Sequence, residues 1–574
     1  MDFNSLGLRI RDRLQPSNVS ATIKSAIAAL KILLFRAWTR WNKPAFKFGV
    51  LRTIGWALFA TLYGLIVGAA SVLLPPMAPI GLVALSAPVL FWALPDLPTI
   101  PAASLRRAFF LTVAVEITIP TYYMVQISGI PWISIRRVMV LILVLLTLYS
   151  ISVSRDERRS LSKVLSDQYW LSFCIIGYLF MAFVSIFFSK EPTQSIGQFF
   201  EYFLNWYLPF FACLIVIRSE KDVILLYKIV AILSLFVAAL GIVDFITHHN
   251  WAVEVIPRSL LNKMMRDNPS VAGVVNSNPF RNGQYRASSI YNVPLCYGEF
   301  AAMVAPIGLY FILHTRNMRD RLLGVAVLVG AMLSLFVSGA RGGNVAFLIS
   351  VPLLLGLWVV RYSALNPRSV VGPLFATASA MCIAALFALI LTWRRLHNIV
   401  LGGGDTASSD DSRNIQWQLG WPHILSNPIT GHGIGRAAET VNYHTPAGAM
   451  SIDSYVLSVV VETGVPGLLL YFGMIFVAAA MLIRIYLRDK DPAAEISAPV
   501  ACSLIAYGVY RLVLSQRENQ TLFFILLGIT FVIAESSAKR MAKKAKVSAS
   551  INSGAPRIQM ASEPHRQPTS RLPF

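Results

Sequence analysis

Apolar runs of nearly twenty residues recur along this chain, and they decide what it can fold into. Wound as a helix at about 1.5 Å per residue, such a run spans the hydrocarbon of a bilayer. The runs stand near 50–74, 78–95, 108–127, 137–154, 168–189, 193–217, 222–247, 294–314, 321–338, 342–361, 370–393, 464–486, 497–515 and 519–536. The second and third contain Pro and are the weakest. In lipid a segment must satisfy its own backbone hydrogen bonds, so these runs read as helices. The expected fold class is all-α: a polytopic helical integral membrane protein with about 12–14 transmembrane helices. Composition agrees, with 56% hydrophobic residues and a mean hydropathy of +0.61.

Charge sets the expected orientation. The net charge is +22. In a chain of this kind, excess Lys and Arg means cytoplasmic loops facing anionic lipid, not nucleic acid. Residues 1–20 are polar and basic, unlike a cleavable signal peptide. Three regions follow. Residues 1–48 form a basic N-terminal region, 49–538 a membrane domain, and 539–574 a basic tail, polar and disordered in composition from about 541. Within the first region, Ile23, Ile27, Leu30, Leu34 and Trp38 recur at helical spacing among Lys24, Lys31, Arg36 and Arg40. That pattern fits an amphipathic helix over 20–42 lying on the membrane, or else a packing helix in the cytosol.

With both termini inside, the basic connections Arg155–Lys163, Arg218–Lys221, Arg316–Arg321, Arg361–Arg368 and Arg484–Lys490 all fall on the cytoplasmic side. Two long loops, 248–293 and 394–452, then fall outside, as does the short turn 338–344. Cys174, Cys213, Cys296, Cys382 and Cys502 lie in or beside apolar runs without paired spacing, which excludes a disulfide framework or a Cys metal site.

The external segments carry the chemistry. Arg286, Arg341 and Arg413 stand outside in a chain whose other basic residues crowd inside. A guanidinium is a planar fork of donors suited to phosphate oxygens, so three of them can hold a diphosphate whose lipid tail stays in the bilayer. Any one of them alone serves equally as a snorkelling interfacial residue. Acid–base candidates are His432, His444, Asp453 and Glu462. Glu462 opens the break Gly464-Val-Pro466-Gly467 and equally suits the backbone groups freed there. Gly431, Gly433 and Gly435 permit positive φ and close approach to a substrate, or simply a tight turn. Trp251, Tyr285, Trp417 and Trp421 can stack on sugar rings, or anchor the interface. His248-His249 and Asp405, Asp410 and Asp411 do not make a metal motif, and there is no phosphate-binding Gly-rich fingerprint, so neither a metal nor any other cofactor is expected.

Taken in order, Ser338 and Arg341-Gly-Gly, then Arg413, Trp417, Asn427-Pro428-Ile-Thr-Gly431-His432-Gly433-Ile-Gly435, Asp453-Ser-Tyr455-Val-Leu and Glu462-Thr-Gly464-Val-Pro-Gly467 resemble the O-antigen ligase and polymerase family of bacterial envelopes. The resemblance covers roughly residues 280–475. It implies a many-helix, GT-C-like glycosyltransferase in the bacterial inner membrane, working at the periplasmic face on glycans carried by undecaprenyl diphosphate. It carries the diphosphate-binding role to Arg341, and by position to Arg286 and Arg413. The expected substrate contacts are Trp417, Tyr455, Gly431, Gly433 and Gly435. Where ligases of the family carry a His, this chain has Ile452 followed by Asp453, a form more like the exopolysaccharide polymerases. Asp453 and His444 both remain candidates for the base.

The function expected is therefore a polysaccharide polymerase joining undecaprenyl-diphosphate-linked repeat units, with lipid-linked donor and acceptor, membrane lipids and a chain-length regulator as partners. The alternatives are a ligase to lipid A core or a flippase for lipid-linked glycans. A transporter should show midplane charges and internal repeats, and no clear repeat stands in the sequence. The charge bias predicts that cysteines placed at residues 270 and 410 react with an impermeant thiol reagent added outside. Labelling of both from the cytoplasmic side alone would invert the topology.

Overall fold

The structure, a computed structural model, describes residues 99–127, 130–267, 269–281, 283–392, 407–444 and 450–552, with a few isolated positions before 99. The helix expected over 20–42, nearly all of the runs 50–74 and 78–95, and the tail beyond 552 lie outside the described residues.

The long helices are α1 (Ala102–Thr118), α2 (Ile135–Val153), α3 (Arg155–Asp167), α4 (Tyr169–Ile186), α5 (Pro192–Val216), α6 (Glu220–Thr247), α7 (Pro294–His314), α8 (Met318–Ser338), α9 (Arg341–Leu365), α10 (Val371–Thr392), α11 (Ala407–Ser426), α12 (Tyr455–Arg488), α13 (Ser497–Arg511) and α14 (Gln520–Asn552). Among the described residues ten stretches are long and apolar enough to cross a membrane: α2, α4 to α9, α12, Pro492–Arg511 and Gln520–Ala545. The chain is an all-α, multi-pass membrane protein. Among the described residues strand is confined to two short hairpins, Met124–Ile127 with Ile130–Ser134 and Phe280–Arg281 with Gln284–Tyr285.

Two expectations need correction. The run 108–127 is not one span: α1 stops at Thr118, and Ile119 turns extended, with φ −101° and ψ 128°. Pro120 follows, and a residue before proline is disfavoured in helix. The polar tail does not turn irregular at 541. Helix α14 runs on to Asn552, through a segment rich in Ala and Lys, both strong helix formers.

Helix starts are written in the sequence. Ser134, Ser154 and Ser219 each accept a backbone N–H three residues on, and Asp or Glu follows in the first turn of α3 and α6. Helix α7 lies at the centre, buried along nearly its whole length between α8, α9 and α13. At one end of the bundle the basic connections meet through ion pairs: Arg218 with Glu157, Lys228 with Asp320, and Arg540 with both Glu220 and Asp489. There Arg361 donates to the Asp489 and Asp491 carbonyls at 2.7 and 2.8 Å, closing the end of α12.

At the opposite end α12 is broken. Gly464 has φ 73° and ψ 179°, a conformation open essentially to glycine alone. Pro466 offers no N–H to the Glu462 carbonyl four residues back. The freed groups pair with the loop that follows α11. Val465 N–H donates to the Pro428 carbonyl at 2.8 Å, while the Val461 and Glu462 carbonyls accept His432 N–H at 2.8 Å and Gly433 N–H at 3.1 Å. Three backbone hydrogen bonds thus replace the helical ladder. A Cβ on Gly464 would lie 2.4 Å from the Ile429 carbonyl oxygen. Gly464→Ala is therefore expected to lose at least about 1–3 kcal/mol, the usual scale of such backbone strain, read as a lower unfolding temperature of the purified protein. An unchanged temperature would remove the break as a rigid element.

Candidate functional site

The broken end of α12 is where the chemistry-bearing residues collect. They form four pieces of the site, drawn from several stretches of chain. The first is the turn between α8 and α9, Ser338 to Arg341. Arg286, from the loop after α6, donates from Nε to the Ser338 carbonyl at 2.9 Å, and Ala287 N–H bonds the Val337 carbonyl at 3.0 Å. Arg286 and Arg341 are thereby brought to one turn from positions far apart in sequence.

The second piece is the loop 512–519 between α13 and α14. A Cβ on Gly342 would meet Val513 at 2.7 Å, so this loop lies against the start of α9. Its Ser515 hydroxyl donates to the Ile452 carbonyl, next to Asp453. One short loop thus bridges the arginine turn and the Asp453 stretch.

The third piece is Asp453 itself. Its N–H donates to Gln416 Oε1 at 2.9 Å, and Ser451 hydroxyl reaches its carboxylate at 3.4 Å. Gln416 is buried on α11, and Arg413 precedes it by three residues, so both lie along one side of that helix. Ser451 N–H bonds the Tyr443 carbonyl and His444 bridges Met450, which brings the segment of His444 beside the one that leads into Asp453. The His444 ring is exposed, with Nδ1 3.3 Å from the Asn442 carbonyl. Nδ1 must then carry the proton, leaving Nε2 as the basic nitrogen.

The fourth piece is a buried ionic layer beneath. Glu299 on α7 and Arg511 on α13 are both fully buried, with Nη2 2.5 Å from Oε1. Asn519 adds a donor to the same carboxylate at 2.8 Å. Arg511 lies over the Tyr507 and Tyr455 rings at 4.7 and 5.3 Å. Arg517 pairs with Glu462 at 2.7 Å and stands over the Tyr202 ring at 4.9 Å. Glu518 accepts the Asn292 N–H, and burial pushes its carboxyl up to about 7.

Several sequence candidates are therefore placed differently from expectation. Tyr455 is wholly buried beneath two guanidinium groups and offers no open face to a sugar. Tyr285 is buried in a stack with His248. Trp417 packs half-buried against the small core formed by α11 and the start of α12, while Trp251 and Trp421 stay exposed. His432 has both ring nitrogens engaged within its own loop, Nε2 on the His423 carbonyl at 2.8 Å and Nδ1 near Asn427. Gly431, Gly433 and Gly435 all have positive φ, but their open sides meet Glu462, Ser189 and Gln198 of the protein itself. They serve the seam across the break. Among the described residues no three His, Cys, Asp or Glu side chains converge as a metal-binding group.

Sequence reading missed Glu299, Arg511 and Arg517. The first two had a signal: a charged residue inside an apolar run. Arg517 had none, since a short turn between two spans is an ordinary place for a charge.

Comparison with known proteins adds one finding. Residues 326–472 match a family model described as O-antigen ligase. The matched stretch lies within the region 280–475 that carries the resemblance and supports it, and with it enzymes of glycosyltransferase type acting on lipid-linked glycans. No curated protein matches the chain.

The buried pair gives a stability expectation. Removing one partner leaves an uncompensated charge, at about 3–5 kcal/mol, whereas replacing both with apolar residues is often neutral. Arg511→Met should therefore lose most folded protein in detergent, and Glu299→Met combined with Arg511→Met should regain much of it. A double variant as poor as the single one would contradict the pairing.

Proposed function

We propose that this protein is a polysaccharide polymerase that joins glycan repeat units carried on a polyprenyl diphosphate, with its site at the periplasmic face of the inner membrane. The observation that carries this reading is the meeting, at the end of the bundle opposite the basic connections, of Arg286 and Arg341 on one turn with Asp453 and His444 on another, joined by the loop 512–519.

In this reading the acceptor hydroxyl oxygen attacks the anomeric carbon of the donor sugar. The bond from that carbon to the diphosphate oxygen breaks, and its electron pair leaves with the diphosphate. Arg286, Arg341 and Arg413 hold that group and stabilise the charge developing on it, so that positive charge comes from side chains fixed in place before the reaction. The hydroxyl proton passes to Asp453 or His444. Asp453 has the better anchored position, through Gln416. His444 has an exposed ring with Nε2 open to accept a proton. Ile452 followed by Asp453, with no His at the place where ligases carry one, favours polymerase. The description of the matched family favours a second reading, transfer of finished glycan to lipid A core.

Lipid-linked glycans in a deletion strain separate the two: single units accumulate when a polymerase is lost, full polymers when a ligase is lost. Arg341→Ala should abolish polymer at unchanged protein level, and Arg341→Lys should restore little, because an ammonium cannot reproduce a fork. Either Asp453→Asn or His444→Ala should slow turnover of a lipid-linked repeat unit by about 10²-fold or more. Turnover within a fewfold of the parent for both would exclude both as the base.

A further inference from the structure

We infer that Arg517 is a further ligand of the diphosphate, held ready by Glu462 as its resident counter-charge. The inference deepens the reading above and rests on it. Arg517 lies outside the stretch 326–472 matched by the family model, in the loop between the last two membrane helices.

The geometry singles it out from the other buried arginine. Arg511 is sealed: it is 0% exposed, paired with an equally buried carboxylate, and its Nη1 donates to the Leu514 and Gln516 carbonyls. Arg517 keeps 24% of its side chain accessible. One nitrogen, Nη2, holds Glu462 at 2.7 Å and approaches the Ser458 hydroxyl at 3.5 Å. Its Nε and Nη1 have no hydrogen-bond partner among the described residues. The guanidinium carbon lies over the Tyr202 ring at 4.9 Å and the Tyr455 ring at 5.7 Å. Two aromatic rings and one carboxylate thus fix the fork while leaving two donors unused, which is how an anion ligand is prepared in advance.

Its location fits the role. Two residues before it, the Ser515 hydroxyl holds the Ile452 carbonyl, and four residues before it, Val513 packs on Gly342 beside Arg341. Arg517 therefore stands on the loop that joins the arginine turn to Asp453. A diphosphate held by Arg286 and Arg341 has further oxygens that a guanidinium on this loop can engage. Glu462 pairs with the guanidinium, which limits the desolvation cost of an arginine at the membrane edge. It also competes with the incoming anion, so binding and counter-charge are coupled with opposite sign.

That sign distinguishes a ligand from a strut. Binding of undecaprenyl diphosphate to the purified full-length protein is the measurement, with thermal stability followed in parallel. Arg517→Gln is expected to weaken binding at least tenfold. Arg517→Lys, which keeps the pair with Glu462 and hence the fold, should weaken it severalfold by losing the fork. Glu462→Gln should bind as tightly as the parent or tighter, because the competing charge is gone. If Arg517→Lys binds like the parent, or if Glu462→Gln weakens binding as much as Arg517→Gln does, Arg517 is a structural partner and the inference falls. Arg341→Ala in the same assay keeps the two levels apart. Its loss of binding beside a normal Arg517→Lys overturns Arg517 alone, whereas unchanged binding in every arginine variant overturns the diphosphate reading itself.

Discussion

The exchange of hydrogen bonds across the break in α12 is what the candidate site hangs on. A membrane helix interrupted by Gly464 and Pro466 leaves carbonyls open where water is scarce, and each such group costs several kcal/mol if unmet. Here the loop after α11 meets them with its own N–H groups. The same seam fixes α11 relative to α12, and α11 carries both Arg413 and the Gln416 that anchors Asp453. Glu462, in the last turn before the break, lies within reach of Arg517. Backbone repair and placement of charge are one arrangement. The loop is held on its other side as well, where Ile434 N–H donates to the Ser185 hydroxyl at the end of α4.

The two ends of the bundle use charge in opposite ways. At the basic end, guanidinium and ammonium groups are spent on Asp and Glu partners and on helix-terminal carbonyls. At the broken end, arginines from the loop after α6, the α8–α9 turn, α11 and the α13–α14 loop gather around one region. Hydrophobic length builds the scaffold, and the departures from it, at Glu299, Arg511 and the α12 break, locate the site.

Fold class and the position of most spans were legible because the bilayer imposes one length on every span. The break at Gly464 was legible because glycine and proline leave a direct mark on the backbone. Arg286 and Arg341 were singled out by the side of the membrane expected for them, an expectation drawn from charge bias alone. What stayed hidden depended on distant contacts. Arg517 and Glu462 lie 55 positions apart, and nothing in either segment announces the other. The glycines at 431, 433 and 435 were legible as turn formers, but not the surface they turn against. The role of Tyr455 failed for the same reason, since burial under Arg511 and Arg517 is decided by α13 and the loop beyond it.

The Glu299–Arg511 pair has a consequence for how the protein is made. Its two members are 212 residues apart, and the carboxylate belongs to the central helix. A ribosome delivers Glu299 to the membrane long before Arg511 exists. During that interval α7 carries a polar group that its neighbours α8 and α9 do not neutralise. The central helix reaches its final setting only when the penultimate span arrives, so truncated chains lacking the last two helices are left with an exposed flaw that membrane quality control can recognise.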